Sequence, residues 1–129
     1  ILQHSKGTPS DEPVYNNVVD EIFVNLNKKI NYAKEYGINN IIVDPGIGFG
    51  KSRKNNFIII DNIEDFYGLH CPVMVGISRK RFIGLDINDN ALKDSLTLAY
   101  SYPLIMKNVD FLRVHNVKLH KTLMNSLPT

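Results

Sequence analysis

Four short apolar runs of this chain are each followed by a side chain that could do chemistry. The residues in question are His4, Asp44, Ser78 and His115. Together with neighbouring cations, a carboxylate, a hydroxyl and two imidazoles can bind a polar, charged substrate. A single polar residue at a strand end means little, but four in succession indicate a site, because the strand ends of βα proteins converge on one face.

The most specific stretch is segment 41–51, which reads IIVDPGIGFGK. In it a predicted strand delivers Asp44 into a turn made of one proline and three alternating glycines. Glycines such as Gly48 let the backbone approach a ligand closely, and Phe49 can offer a flat wall to it. The alternative is a tight βα loop in which Asp44 only caps the next helix.

Two common nucleotide-binding loops do not fit this segment. A P-loop requires glycine where Pro45 stands, although Gly50, Lys51 and Ser52 look like its end. The dinucleotide-binding pattern requires its third glycine where Lys51 stands. Both motifs are therefore excluded.

Three consecutive cations follow the third apolar run, in segment 76–84, which reads GISRKRFIG. A run of charges is usually a solvated surface. Here the run lies at a strand end, on the face expected to carry the site, which favours an anion or substrate role for Lys80. For Arg79 both interpretations stay open, and Arg81 is expected on the surface.

Arg113 and His115 lie two residues apart at the end of the fourth run. Alternate residues of a strand leave from the same face, so the two side chains should lie together. An arginine beside a histidine makes a clamp for phosphate, which the guanidinium can bind with two hydrogen bonds. The alternative is two unrelated polar residues at a strand edge. His70 and His120 have no such neighbours and are expected on the surface.

The elements that would position these residues follow from hydrophobic periodicity. Strands are predicted over the apolar runs 1–2, 41–43, 73–77 and 111–114. Helices are predicted over residues 14–36, 57–69, 90–107 and 117–127. Pro103 should kink or shorten the third helix, because proline removes a helical hydrogen bond.

This βαβαβαβα order implies parallel strands joined by right-handed crossovers. His4, Asp44, Ser78 and His115 are separated by 40, 34 and 37 positions, about one βα unit each. Four such units are half of an eight-stranded (β/α)8 barrel of about 250 residues. An open four-stranded sheet is the alternative architecture.

Composition narrows the classes of function. A net charge of +2 gives no argument for nucleic acid, and no apolar run approaches the roughly 20 residues that cross a bilayer. The single Cys71 allows no internal disulfide and is expected to be a buried, inert thiol. Residues 1–129 should form one domain, and because the first residue is Ile1 rather than Met, we expect a piece of a longer protein.

The four motifs together resemble those of the dihydropteroate synthase family. Segments 2–9, 44–51, 78–80 and 113–115 are similar to four sequence motifs of that family, and they occur in the same order and at suitable spacing. The resemblance covers essentially the whole chain. It implies the C-terminal half of a (β/α)8 barrel, strands five to eight of a partial pterin-binding domain.

What the resemblance implies is a reaction in which 4-aminobenzoate attacks the methylene of a dihydropterin diphosphate and expels diphosphate. The resemblance assigns the family's functional residues to positions of this chain, grouped here by the part of the substrates that each would contact. They are Asp44, Gly48, Phe49 and Lys80 for the pterin, with Asp44 and Lys80 catalytic; His4, Arg113 and His115 for the diphosphate; and Ser78 and Arg79 for the aminobenzoate. Mg²⁺ is the expected cofactor, held by a residue outside this chain, in the N-terminal half.

The resemblance also implies a cytoplasmic homodimer, or an organellar one, with a possible upstream fusion to another folate-pathway domain and no nucleic-acid or membrane partner. The chain departs from the family at Gln3 and Ser5, where methionine is usual, at Pro103 inside a helix, and at Asn108 in place of a helix-ending glycine. Two alternatives stay open. One is a non-catalytic half-barrel from a split or truncated gene, and the other is a pterin-binding barrel that transfers a methyl group.

Overall fold

Strands and helices alternate along the computed structural model, which describes residues 1–6 and 14–128. The strands are β1 (Leu2–Gln3), β2 (Val43–Asp44), β3 (Met74–Val75) and β4 (Phe111–Leu112). The helices are α1 (Val18–Glu35), α2 (Arg53–Asp61), the 3-10 helix Ile63–Leu69, α3 (Arg81–Gly84), α4 (Asn90–Met106) and α5 (Val117–Ser126). The predicted alternation is confirmed, and α3 is an addition to it.

The strands of the described residues are parallel neighbours in chain order. β1 pairs with β2 and β3 pairs with β4. A parallel bridge between Val43 and Val73 joins the two pairs, and the Val43 N–H donates to the carbonyl of Pro72 at 2.9 Å. The order never reverses, so this part of the chain has no switch point of the kind that open doubly wound sheets use.

Helix α1 packs against β1, α2 and the 3-10 helix through a buried apolar stripe. Asn17 caps its first turn, because the side chain accepts a hydrogen bond from the Asp20 N–H. The helix therefore begins at Val18, four residues after the predicted start at Val14. The stripe consists of Val18, Val19, Ile22, Leu26, Ile30 and Ala33.

The second predicted helix, 57–69, was wrong as a single element. Ser52 accepts a hydrogen bond from the Asn55 N–H, so α2 already begins at Arg53. Asn62 then ends it, because its side chain donates to the Ile58 carbonyl at 2.8 Å and competes with the helical pattern. The chain continues as the 3-10 helix to Leu69.

Helix α4 continues through Pro103 and ends at Met106, so the proline does not shorten it. The proline removes only its own N–H donor, and the helix continues for three residues beyond it. After the helix, Asn108 adopts the left-handed conformation with φ 62°. Asparagine tolerates this conformation better than most residues. This explains why it can replace the glycine that ends the corresponding helix in the resembled family.

The core lies between the strands and the helices α1, α2 and α4, together with the 3-10 helix. Its buried apolar side chains form one cluster, which includes Ile22, Leu26, Val43, Ile59, Phe66, Val73, Val75, Ile77 and Leu104. Cys71 is half-buried and packs against this cluster. Within the described ranges, no helix combines the length and the apolar character that spanning a membrane would need.

Candidate functional site

The carboxyl ends of β2, β3 and β4 surround one cavity of about 420 Å³. Its lining comes from the glycine-rich loop after β2 and from the residues just beyond β3 and β4. The lining residues are Phe49, Gly76, Ser78, Lys80, Arg113, Val114 and His115. Five side chains predicted from sequence therefore meet at one cavity.

Asp44 lies behind this cavity, at the last position of β2, with 2% of its surface exposed. Its Oδ1 accepts a hydrogen bond from the Gly46 N–H at 2.8 Å. Its Oδ2 forms an ion pair with Nη2 of Arg113 at 3.3 Å. The carboxylate therefore does not cap the helix that follows, but bonds its own loop and the cation that follows β4.

The glycine-rich loop needs its glycines for both conformation and space. Gly46 and Gly48 have φ values of 71° and 86°, which side chains rarely adopt. A Cβ on Gly46 would lie 1.9 Å from the carbonyl oxygen of His4, and one on Gly48 would lie 2.6 Å from Cδ of Lys80. The loop can therefore pack against the His4 carbonyl and Lys80 only because these two positions carry no side chain.

Lys80 crosses from the loop after β3 to the glycine-rich loop. Its Nζ donates a hydrogen bond to the carbonyl of Ile47 and lies 4.6 Å from the centre of the Phe49 ring. Burial lowers the pKa of Lys80 from 10.5 to about 8, while Asp44 opposes the shift and Arg113 adds to it. The ammonium is thus mostly protonated at pH 7 but loses its proton more easily than a surface lysine.

Two residues that hold this loop were not singled out from sequence. Lys51 is buried, and its Nζ donates to the carbonyls of Gly46 at 2.7 Å and Phe49 at 2.9 Å. Burial lowers the pKa of Lys51 to about 8. Asn56 on α2 is also buried, and its Oδ1 accepts from the Gly48 N–H at 2.8 Å. An amide directly before the apolar residues of α2 is the signal in the sequence that could have identified Asn56.

Ser78 and His115 form a hydrogen-bonded pair between the ends of β3 and β4. The Ser78 hydroxyl lies 2.8 Å from Nδ1 of His115 and accepts a bond from the His115 backbone N–H at 3.0 Å. Arg113 lies directly over Gly76, where an added Cβ would come within 2.9 Å of its Nη2. Half of the Arg113 side chain is exposed, so its remaining donors can reach a ligand.

His4 is placed elsewhere. Its ring lies against α1, with Nδ1 3.1 Å from Oδ1 of Asn25 and Nε2 3.1 Å from the hydroxyl of Tyr15. Burial is the main cause that lowers the pKa of His4 to about 4, so the ring is neutral at pH 7. The structure does not bring His4 into the cavity, and its role at a diphosphate stays a prediction without support from this geometry.

Arg79 also points away from the cavity, towards α4, where its guanidinium pairs with Asp94. Its predicted contact with aminobenzoate stays a prediction. Gly7, Thr8 and Pro9 of the first motif lie outside the described residues.

A metal ion has no ready site in the residues that the structure describes, since they hold no group of three His, Cys, Asp or Glu side chains. Asp44, the one carboxylate at this site among the described residues, is already paired with Arg113. The expected Mg²⁺, whose ligand was assigned to a residue outside this chain, stays a prediction.

Comparison with known proteins gives one consistent result. The family model described as "Pterin binding enzyme" matches residues 1–115. The dihydropteroate synthase of Clostridium beijerinckii is 40% identical over 122 residues, which are 90% of this chain and 43% of that protein. A probable bifunctional folylpolyglutamate synthase/dihydropteroate synthase of Haloferax volcanii is 33% identical over 97% of this chain and 16% of its own length. The chain thus spans less than half of these curated relatives.

Among solved structures, the fold matches dihydropteroate synthase from Thermus thermophilus in complex with 4-aminobenzoate. The TM-score is 0.84 at 31% sequence identity, over 95% of this chain and 53% of that one. The match over half of a barrel enzyme confirms the prediction that the four βα units form half of a (β/α)8 barrel.

Proposed function

This chain belongs to the family of pterin-binding enzymes, and we propose that it supplies the substrate-binding C-terminal half of a dihydropteroate synthase. The proposed reaction joins 4-aminobenzoate to 6-hydroxymethyl-7,8-dihydropterin diphosphate. Its products are 7,8-dihydropteroate and diphosphate. One observation supports the proposal above all: Lys80 and Arg113, which follow two different strands, line a single cavity, and Arg113 pairs there with Asp44 from the end of a third strand.

Asp44 is the proposed partner of the pterin. The amino-pyrimidinone edge of a pterin presents adjacent N–H donors, and an ionised carboxylate can accept both. Arg113 donates a hydrogen bond to Oδ2 of this carboxylate. Because the Arg113 side chain is half-exposed, it can turn from Asp44 towards the cavity without disturbing the core. We propose that the pterin edge takes its place.

Lys80 and Phe49 would hold the rest of the ring. The ammonium of Lys80, which is protonated at pH 7, can donate to the ring oxygen or to a ring nitrogen of the pterin. Phe49, already beside this ammonium, provides an apolar surface on which a flat heterocycle can lie. Gly48 leaves room for both, since any side chain there would collide with Lys80.

Arg113 and His115 are the proposed diphosphate site. Both line the cavity, and Arg113, once released from Asp44, presents a fork of N–H donors that suits phosphate oxygens. Ser78 fixes the ring of His115 through Nδ1, which leaves Nε2 to face a ligand. Barrel enzymes often bind phosphate near strands seven and eight, which correspond here to β3 and β4.

The chemistry requires no covalent intermediate with the protein. The amine nitrogen of 4-aminobenzoate attacks the exocyclic methylene carbon, and a C–N bond forms as the C–O bond to diphosphate breaks. The bonding electrons leave with the diphosphate, and the amine loses one proton. Positioning of the two substrates and stabilisation of the leaving group by Arg113 and His115 would provide most of the acceleration.

The remaining parts of the proposal concern the assembled protein. A first half of the barrel would complete the site and hold Mg²⁺, a cation that would offset the charge of the diphosphate. We also propose a cytoplasmic or organellar homodimer. A fusion with another folate-pathway domain is a further possibility, as in the bifunctional relative from Haloferax volcanii.

A non-catalytic half-barrel is the second candidate function. The outer edge of β1 and α1 lines a cavity of about 800 Å³, which includes Leu2, Tyr32, Ala33 and Ile38. Such an edge needs a neighbouring element, so the chain without one would bind substrate weakly or aggregate. Transfer of a methyl group is disfavoured, because that reaction has no diphosphate to occupy Arg113 and His115.

Product formation separates these candidates. The chain would be assayed for 7,8-dihydropteroate alone and after coexpression with the first half of a related barrel. We expect product only in the coexpressed sample, and none when Asp44 is replaced by alanine. A soluble, assembled complex that makes no product would support the non-catalytic half-barrel.

A further inference from the structure

The turn that carries Ser78 and Lys80 depends on an unusual backbone conformation at Arg79. Arg79 has a φ of 57°, in the left-handed region that residues with a Cβ disfavour. On either side of it, Ser78 and Lys80 both line the cavity, while Arg79 points away from it. The Lys80 N–H closes the turn by donating to the Ile77 carbonyl at 3.2 Å.

Helix α4 holds Arg79 in this conformation through two side chains. Asp94 accepts hydrogen bonds from Nε at 2.7 Å and from Nη2 at 3.0 Å, a two-pronged pairing of guanidinium and carboxylate. The backbone N–H of Arg79 donates to Oγ1 of Thr97 at 3.1 Å. Asp94 and Thr97 are both buried, and the bond from Arg79 is the main cause that lowers the pKa of Asp94.

The same carboxylate also reaches the loop after β4. Nδ2 of Asn116 donates to Oδ2 of Asp94 in a longer hydrogen bond of 3.4 Å. Asn116 directly follows His115 and caps α5 by accepting from the Leu119 N–H at 3.0 Å. Asp94 therefore contacts both of the loops that carry the proposed diphosphate and aminobenzoate residues, without itself lining the cavity.

We propose that Asp94 is a positioning residue of this site, and that Arg79 serves as the arm through which it acts and not as a ligand contact. The pair keeps Arg79 left-handed, which turns Ser78 and Lys80 to the same side. The inference rests on the proposed function, because it takes dihydropterin diphosphate as the ligand of the cavity. Asp94 itself touches no substrate.

Glycine offers a specific test, because it adopts a φ of 57° without any clamp. The variants are Asp94→Asn, Arg79→Ala, Arg79→Gly and the double variant Asp94→Asn with Arg79→Gly, each made in the assembled barrel. The readouts are the affinity for dihydropterin diphosphate and the hydrogen exchange of the Lys80 amide. Asp86→Asn is the control, because it breaks an exposed ion pair with Arg81 at 3.7 Å.

We expect Asp94→Asn and Arg79→Ala to weaken binding and to speed exchange at Lys80, each by about fivefold to tenfold, as the disfavoured left-handed turn loses its clamp. Arg79→Gly should be less harmful than Arg79→Ala, and the double variant should recover part of what Asp94→Asn loses. Asp86→Asn should change neither readout.

Two results would overturn the proposal. One is an Arg79→Gly variant that binds as weakly as Arg79→Ala, which would make the guanidinium a ligand contact. The other is an Asp94→Asn variant with wild-type affinity and wild-type exchange. Absence of binding by the unmodified barrel would count against the proposed function instead, and exchange at Lys80 would then still decide whether Asp94 holds the turn.

Discussion

Asp44 at the end of β2 and Arg113 beyond β4 form an ion pair, Oδ2 to Nη2 at 3.3 Å, that passes over the intervening strand β3. The pair can form because Gly76, which directly follows β3, has no side chain at the crossing point, where a Cβ would lie 2.9 Å from Nη2. One partner is buried and the other is half-exposed. The pair thus joins the carboxylate proposed to bind the pterin to the guanidinium proposed to bind the diphosphate.

Replacement of Asp44 by alanine should weaken pterin binding strongly. A charge-assisted hydrogen-bonding partner is worth about 1.5–3 kcal/mol, so the dissociation constant for dihydropterin diphosphate should rise by roughly 10-fold to 150-fold. Calorimetric titration of the assembled barrel would measure it. Asp86→Ala, which removes an exposed carboxylate, is the matched control. An unchanged affinity would remove Asp44 from the site.

Two glycines with similar backbone conformations should respond differently to alanine. Gly37 and Gly48 have φ values of 78° and 86°, but a Cβ at Gly37 meets nothing within 4 Å, whereas one at Gly48 collides with Lys80. Both variants should lose about 1 kcal/mol of stability through backbone strain. Only Gly48→Ala should also weaken pterin binding, because it displaces Lys80. Equal ligand affinity in the two variants, measured by titration, would contradict this.

Binding of dihydropterin diphosphate should weaken as the pH rises through about 8. The pKa of Lys80 is lowered to about 8, so its ammonium is protonated below that pH and is lost as a donor above it. The measurement is the dissociation constant from neutral pH to well above the pKa of Lys80. Lys80→Gln should bind more weakly at pH 7 and should lack the step near pH 8. A step that persists in this variant would belong to another group, such as Lys51, whose pKa is also about 8.

His120 should contribute to the attachment of α5, although it was expected on the surface. It is buried, with Nε2 2.9 Å from the Ser101 hydroxyl of α4 and Nδ1 3.0 Å from the Asn116 carbonyl. Ser101→Ala would leave the ring nitrogen without a partner and should lower the free energy of unfolding by about 1–3 kcal/mol.

Ser95 provides the control for that measurement. It lies on the same helix, but it is exposed and its hydroxyl donates only to the Ala91 carbonyl. Denaturant unfolding of Ser95→Ala should differ little from that of the unmodified protein. Equal losses in both variants would show that the Ser101–His120 bond adds nothing.

The elements and the convergence of strand ends could be predicted because they depend on patterns that extend over many residues. The apolar stripe of α1 and the polar residues after each strand are such patterns, and parallel neighbours then follow from the alternation of strands and helices. The residues that meet at the cavity, such as Lys80 and His115, could therefore be predicted from the sequence.

The direction in which individual side chains point could not be predicted in the same way. Arg79 points away from the cavity because its backbone is in the left-handed conformation. His4 lies against α1 because its ring forms hydrogen bonds with Asn25 and Tyr15. The burial of His120 depends on how α5 packs on α4. Each of these facts depends on contacts between distant segments, which local periodicity does not encode.

The most direct test of the account is a crystal structure of the assembled barrel with dihydropterin diphosphate bound. We predict that the pterin edge bonds both oxygens of Asp44, that Arg113 has left this carboxylate, and that the diphosphate lies between Arg113 and His115. A structure with the ligand bound and the pair of Asp44 and Arg113 still intact would contradict the account.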